Sequence, residues 1–340
     1  MTAAAAGFAE FPVLRMGLAG FNAAEQAPLC HALAARLSTR RTSWQVTQLG
    51  EADAWCVNGS RVARLPDGTL RIVPGLASGR SIRIHPDEVD WPIAYSTPAG
   101  PPDFRPTYAF DLDSAASIEA MLDQLEGWLR PLVVQFYLAS QILQENVDLR
   151  SGVFHVIVRG KLYAVVSRRN GVGVWPLADP AQLADAVWSH RPEAADDVPH
   201  HFVRTDLHQL LWQYGIRTGR DWLPPHYRTK RLFLRRPPSL PTRLLTDTSL
   251  LLVRELGHSA GTFDELAQRT GISAAQLARH LAALSMVGSI TANPDRATTG
   301  GDSGGWVASV PSAEPASVSP SSELTVRLKV YRSPDRASFE

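Results

Sequence analysis

The stretch from Thr262 to Ile290, TFDELAQRTGISAAQLARHLAALSMVGSI, constrains the fold of this chain more than any other. Thr262 with Glu265, and Ser273 with Gln276, each form a Ser/Thr-x-x-Glu/Gln pair, the capping box that satisfies two orphan amides at a helix start. Gly271 lies between the two boxes, where a tight turn needs positive φ. Leu266, Ile272, Leu277, Leu281 and Leu284 recur at helical spacing. The pattern predicts helix, turn, helix, the second helix packing one face on the first and leaving the other free.

These residues resemble the helix-turn-helix of bacterial winged-helix domains, with Ala267 at the small-residue position and Gly271 in the turn. The resemblance implies that the outer face of the second helix meets another macromolecule. A DNA-reading helix offers Arg, Lys, Asn or Gln to base edges and phosphates. Between Ser273 and Met286 the candidates are Gln276, Arg279 and His280. From Leu244 to Pro294, Arg254, Arg269 and Arg279 face Asp247, Glu255, Asp264 and Glu265, so a winged helix that holds a protein stands beside one that holds DNA.

At 340 residues the chain is long for one core, which predicts two or three domains. Its formal net charge of +1 excludes a chain that is basic throughout but not a local basic patch. Cys30 and Cys56 are too few for a disulfide framework or a metal cluster. The opening MTAAAAGFAEF lacks the basic start and apolar run of a signal peptide, and no run approaches a membrane span. The expected compartment is the cytoplasm.

Pro12 to Leu18, Ala23 to Leu37, Trp44 to Gln48 and Ala54 to Val57 read as β-α-β-β, the start of an α/β unit. Over the first 60 residues this is similar to a response-regulator receiver domain. The acidic residues that hold a divalent cation in that family are replaced by Ala19, Gly20, Phe21 and Asn22, its aspartate after the third strand by Asn58, and no lysine precedes Lys161. The resemblance therefore implies a pseudo-receiver, degenerate in its phosphate chemistry. Short strands follow at Arg61 to Leu65, Leu70 to Val73 and Ser81 to Ile84, with Asp67-Gly68 as a hairpin signal. The Pro/Gly-rich Ser96 to Pro106 marks a boundary.

Two helices are predicted at Ser117 to Trp128 and Pro131 to Glu145. A β-meander is predicted at Val153 to Arg159, Leu162 to Ser167 and Val172 to Trp175. Asp179-Pro180-Ala181-Gln182 reads as a further capping box opening a helix to about Ser189. His200, His201, His208 and His226 fit no metal-ligand spacing, so no metal or cofactor is expected. Residues 204–243 hold nine basic residues against Asp206 and Asp221, interleaved with Trp212, Tyr214, Trp222, Tyr227 and Phe233. Guanidinium forks grip phosphate and aromatic faces stack on bases, which makes Arg228, Lys230, Arg231, Arg235 and Arg236 the candidate DNA or anion contacts. The bland reading is a core of leucines with a solvated arginine rim.

Gly288 to Ala292 and Trp306 to Val310 are the expected wing strands. Between them GDSGG, Gly301 to Gly305, is similar to the nucleophile motif of chymotrypsin-like proteases, but the histidine segment and the double barrel of that family are missing. Pro311 to Ser322 reads as a flexible tail, and Leu324, Val326, Leu328 and Val330 as a terminal strand. The resulting fold class is α/β plus α+β multidomain. Residues 1–100 are a degenerate receiver-like α/β domain, 107–240 an α+β middle domain with the meander, 244–310 a winged helix and 311–340 a tail. The leading functional expectation is a non-enzymatic cytoplasmic transcriptional regulator that meets DNA through the winged helix and the Arg-rich stretch. The alternatives are a signalling adaptor that holds proteins by the winged helix, or a receptor for a phosphorylated small molecule such as a cyclic dinucleotide.

Overall fold

Alternation of apolar residues from Val13 onward builds a buried strand, and the chain then divides into two compact units, residues 14–128 with 311–340 and residues 1–13 with 129–310. These units cut the chain elsewhere than the expected boundaries near 100 and 240: the helix before Trp128 groups with the N-terminal sheet, and the middle sheet shares a unit with the helix-turn-helix. The computed structural model describes residues 10–39, 42–76, 79–85, 89, 91–101, 104–144, 152–167, 169, 171–297 and 323–325. The GDSGG string, the second wing strand and the Pro/Ser-rich tail lie outside the described residues.

In the first unit the order is β1 (Val13–Ala19), α1 (Ala23–Thr39), β2 (Ser43–Thr47), β3 (Ala54–Val57), β4 (Val62–Arg64), β5 (Leu70–Ile72), β6 (Ser81–Ile84), β7 (Ile93–Ser96), β8 (Ala109–Phe110) and α2 (Ala115–Trp128). The main sheet has the order β2-β1-β3-β7-β8, with parallel pairing from β1 to β3, β3 to β7 and β7 to β8. All four residues of β3 are buried, as expected for a strand covered on both faces. Strands β4, β5 and β6 form a separate antiparallel sheet. Its Val62, Leu70, Ile72 and Ile84 share one core with Ala19, Trp55 and Tyr95.

Arg36, on α1, is 1 % exposed and pairs with Glu119, Asp123 and Glu126 of α2. The three carboxylates fall at helical spacing and so line one stripe of α2. Trp44 Nε1 and Thr42 Oγ1 donate to the same Glu126 oxygen as Arg36.

The second unit runs α3 (Arg130–Gln144), β9 (Val153–Val158), β10 (Lys161–Ser167), β11 (Gly171–Val174), β12 (Val187–Arg191), β13 (Val203–Thr205), α4 (Leu207–Arg217), α5 (Pro225–Thr229), β14 (Phe233–Leu234), α6 (Asp247–His258), α7 (Phe263–Thr270), α8 (Ala274–Met286) and β15 (Ile290–Thr291). Its larger sheet has the order β12-β9-β10-β11-β13, antiparallel throughout, and its valines pack on α3 and α4. A final short strand, β16 (Glu323–Thr325), pairs in parallel with β6 and belongs to the first unit.

The helix expected from Asp179 to Ser189 does not form. The Asp179 side chain accepts from Ala181 N, Gln182 is taken by the Tyr163 hydroxyl, and 3-10 turns give way to β12, whose Val187–Arg191 pair with β9. Ladder pairing of Val187 and Trp188 overrides the local cap. No helix among the described residues is long and apolar enough to cross a membrane.

Candidate functional site

The helix-turn-helix forms as its punctuation requires. Thr262 and Glu265 make a complete capping box, and Gly271 ends α7 at φ 68°. At Ser273 the box is incomplete: Ser273 Oγ accepts from Gln276 N and donates to the Gln276 side chain instead of leaving it for the backbone. Leu277, Leu281 and Leu284 are wholly buried, worth about 2 kcal/mol each by apolar transfer.

The outer face of α8 is not free. Helix α4 lies across it, and Trp212 and Ile216 join the core that contains Leu277, Leu281, Ala283 and Leu284. A Cβ placed on Gly215 would lie 3.0 Å from Ala283 Cα and 3.2 Å from Met286 Sδ, so the two helices touch at backbone distance. What remains exposed on α8 is Ala274, Ala275 and Gln276, with Arg279, Ser285 and Met286 half-buried. His280, a candidate contact from the sequence, is 8 % exposed and its Nδ1 shares a hydrogen bond of 3.0 Å with Ser249 Oγ. It serves the core and cannot reach a base edge.

The basic stretch has a structural role that its charge does not reveal. Leu232 makes an isolated bridge to Gly261 at the α6–α7 junction, and the adjoining β14 pairs antiparallel with β15 after α8. Arg228 pairs with Asp221, and its guanidinium sits 5.1 Å from the Phe263 ring centroid. Arg231 donates to the Ala260 carbonyl at 3.3 Å and reaches Glu265 at 3.5 Å. Lys230 is exposed.

Arg235 and Arg236 are exposed and converge on the turn at Gly288. A Cβ there would lie 3.6 Å from Arg236 Nη2 and 3.9 Å from Arg235 Nη1. Their backbone amides both donate to the Ser289 carbonyl, and Arg236 Nη2 donates to that of Val287, at the end of α8 where cations are favoured. The expected contacts thus fall into groups. Gln276 and Arg279 lie near the start of α8, and Arg235 and Arg236 lie just past its end, about 18 Å away along the axis.

At the carboxyl edge of the N-terminal sheet, the usual ligand position of such sheets, the chain occupies its own crevice. Asn22 and Glu25 cap α1 reciprocally, and Arg61 reaches Glu25 at 3.3 Å. Asn58 is 4 % exposed and accepts from Ser60 N and Oγ. Gly75 lies so close to Phe21 that a Cβ would come within 2.2 Å of a Phe21 backbone atom. A shallow hollow lined by Gly59, Ser60, Val62, Arg64, Pro98 and Gly100 remains open. Burial pushes the Cys56 thiol up to about 12, so it is protonated at neutral pH. Among the described residues no group of three or more His, Cys, Asp or Glu is placed to hold a metal ion.

With this geometry in view, residues 236–296 match the family model described as DprA winged helix domain. The C-terminal segment is a winged helix. The match leaves residues 1–235 outside it. No curated protein and no solved structure matches the chain. The domain that this family model describes comes from DNA-processing proteins involved in transformation, not from transcriptional regulators, which overturns the expectation of a transcriptional regulator.

Sequence reasoning missed α4 as the cover of α8. A signal was available in Gly215 within a helical run and in the small residues Ala278, Ala282 and Ala283 of α8, the composition that lets two helix backbones approach. It also missed the Asn22–Glu25 box, which carries the same spacing signature as the one at Thr262.

Proposed function

We propose that the second unit is a non-catalytic nucleic-acid-holding module that grips the phosphate backbone beside the Gly288 turn and does not read base sequence. The observation that carries this reading is the convergence of the exposed Arg235 and Arg236 on the turn at Gly288, in a winged helix whose α8 is covered beyond its first turn. Guanidinium pairs hold phosphate oxygens with bidentate geometry, and such contacts position a nucleic acid without specifying it. Lys230 extends the same charge along the chain leading into β14. The N-terminal unit is read as a pseudo-receiver on the strength of its strand order, with the crevice at its strand ends filled by the segment around Gly75.

Fluorescence anisotropy of a mixed-sequence 30-base-pair duplex, taken through a potassium chloride series, tests the reading. Binding is expected to weaken linearly in log–log form, and Arg235→Ala with Arg236→Ala is expected to flatten the slope by about 2, one phosphate per arginine. Gln276→Ala is expected to leave the slope unchanged. Absence of binding at low salt, or a slope indifferent to the arginine pair, sinks the proposal.

A further inference from the structure

The loop after α4 holds a built anion site that is already filled, and its occupant comes from the far end of the chain. Glu10 is 10 % exposed in its side chain. Its Oε1 accepts from the Thr218 hydroxyl, from Gly219 N at 2.8 Å and from Arg220 N at 3.3 Å. Its Oε2 accepts from the Tyr214 hydroxyl at 2.9 Å and lies 3.3 Å from Arg220 Nε. Trp222 Nε1 donates to the Tyr214 oxygen at 2.9 Å, which directs the phenolic proton onto the carboxylate. Tyr214 and Thr218 are buried, whereas Gly219 and Arg220, which supply the other three donors, are exposed.

The position makes this cluster costly for an anion unless it is built for one. It sits at the C-terminal end of α4, where the helix dipole disfavours negative charge. Five donors offset that penalty, three on one oxygen and two on the other. They supply one full positive charge, that of Arg220, and they address two oxygens, so the match is to a planar monoanion and not to a phosphate dianion.

We propose that residues 214–222 form a carboxylate receptor in which Glu10 is the resident, exchangeable ligand, and that the site accepts the carboxylate of a separate molecule when Glu10 is withdrawn. The receptor uses none of the basic residues assigned to the phosphate backbone, so the two readings stand or fall separately. Because residue 10 precedes β1, exchange couples a small acidic ligand to release of the segment leading into that strand.

The test uses the full chain carrying Glu10→Ala, with propionate as probe and sodium chloride at equal ionic strength as control. Propionate at about 100 mM is expected to raise the melting temperature of this variant by about 3 °C and that of the unaltered chain by less than about 1 °C. Adding Thr218→Val and Arg220→Ala to Glu10→Ala is expected to abolish the rise. If Glu10→Ala does not fold in buffer, recovery of its folded signal by propionate supports the receptor, and failure to recover it overturns it. Equal shifts in the variant and the unaltered chain overturn it too, as does inorganic phosphate acting more strongly than propionate.

Discussion

The strand ends of the N-terminal sheet and the outer face of α8 are both places where folds of these kinds meet a ligand, and in both the chain supplies its own cover. The covers differ in kind. At the sheet, the segment after β5 brings Gly75 against the Phe21 backbone, and Asn22, Glu25 and Arg61 close the start of α1. At α8, a whole helix is laid on by apolar packing, with Gly215 against Ala283, and the first turn of α8 is left uncovered. A loop cover is held by a few close backbone contacts, whereas a helix cover is held by the core itself. Helix α4 cannot leave α8 without opening the core they share, and the residues that α8 still exposes, Ala274, Ala275 and Gln276, lie in its first turn.

Gly75→Ala is expected to destabilise the protein most. An added Cβ would meet Phe21 backbone at 2.2 Å, and backbone cannot give way as a side chain can, so urea denaturation should show a loss of roughly 3 kcal/mol. A loss below about 1 kcal/mol would mean that the loop lifts easily and the crevice opens. Gly215→Ala is expected to cost about 2 kcal/mol, because Ala283 at 3.0 Å must shift on a helix packed on both sides. Should that variant keep its stability and gain affinity for duplex DNA, α4 would be a detachable cover and not part of the core. Within the winged helix, Thr262→Ala removes one half of the capping box and should cost about 1 kcal/mol in the same assay, with DNA binding unchanged.

The helix-turn-helix was legible because its signals are local. Capping boxes, a left-handed glycine and leucines at helical spacing act within a few residues of one another, and they survive in the structure at Thr262, Gly271 and Leu277 to Leu284. The Asp179 motif carried the same local signal and failed, since pairing of the next residues with β9 is a long-range contact that the cap cannot outweigh. Charge was legible in amount but not in use. Among the arginines of the basic stretch, Arg228 and Arg231 are engaged by neighbours from other elements, while Arg235 and Arg236 are gathered at a turn some 50 residues further along the chain.

The amino-acid sequence by itself determined where the helices of the winged domain start and stop, because capping and turn chemistry are satisfied inside each segment. Which faces stay open follows from packing between distant elements. Whether His280 meets solvent or Ser249, whether α8 is bare or lies beneath α4, and whether Glu10 is a tail residue or a seated ligand all depend on groups dozens to two hundred residues apart. Burial and hydrogen bonding at that separation are settled by packing the whole unit, and no local pattern encodes them.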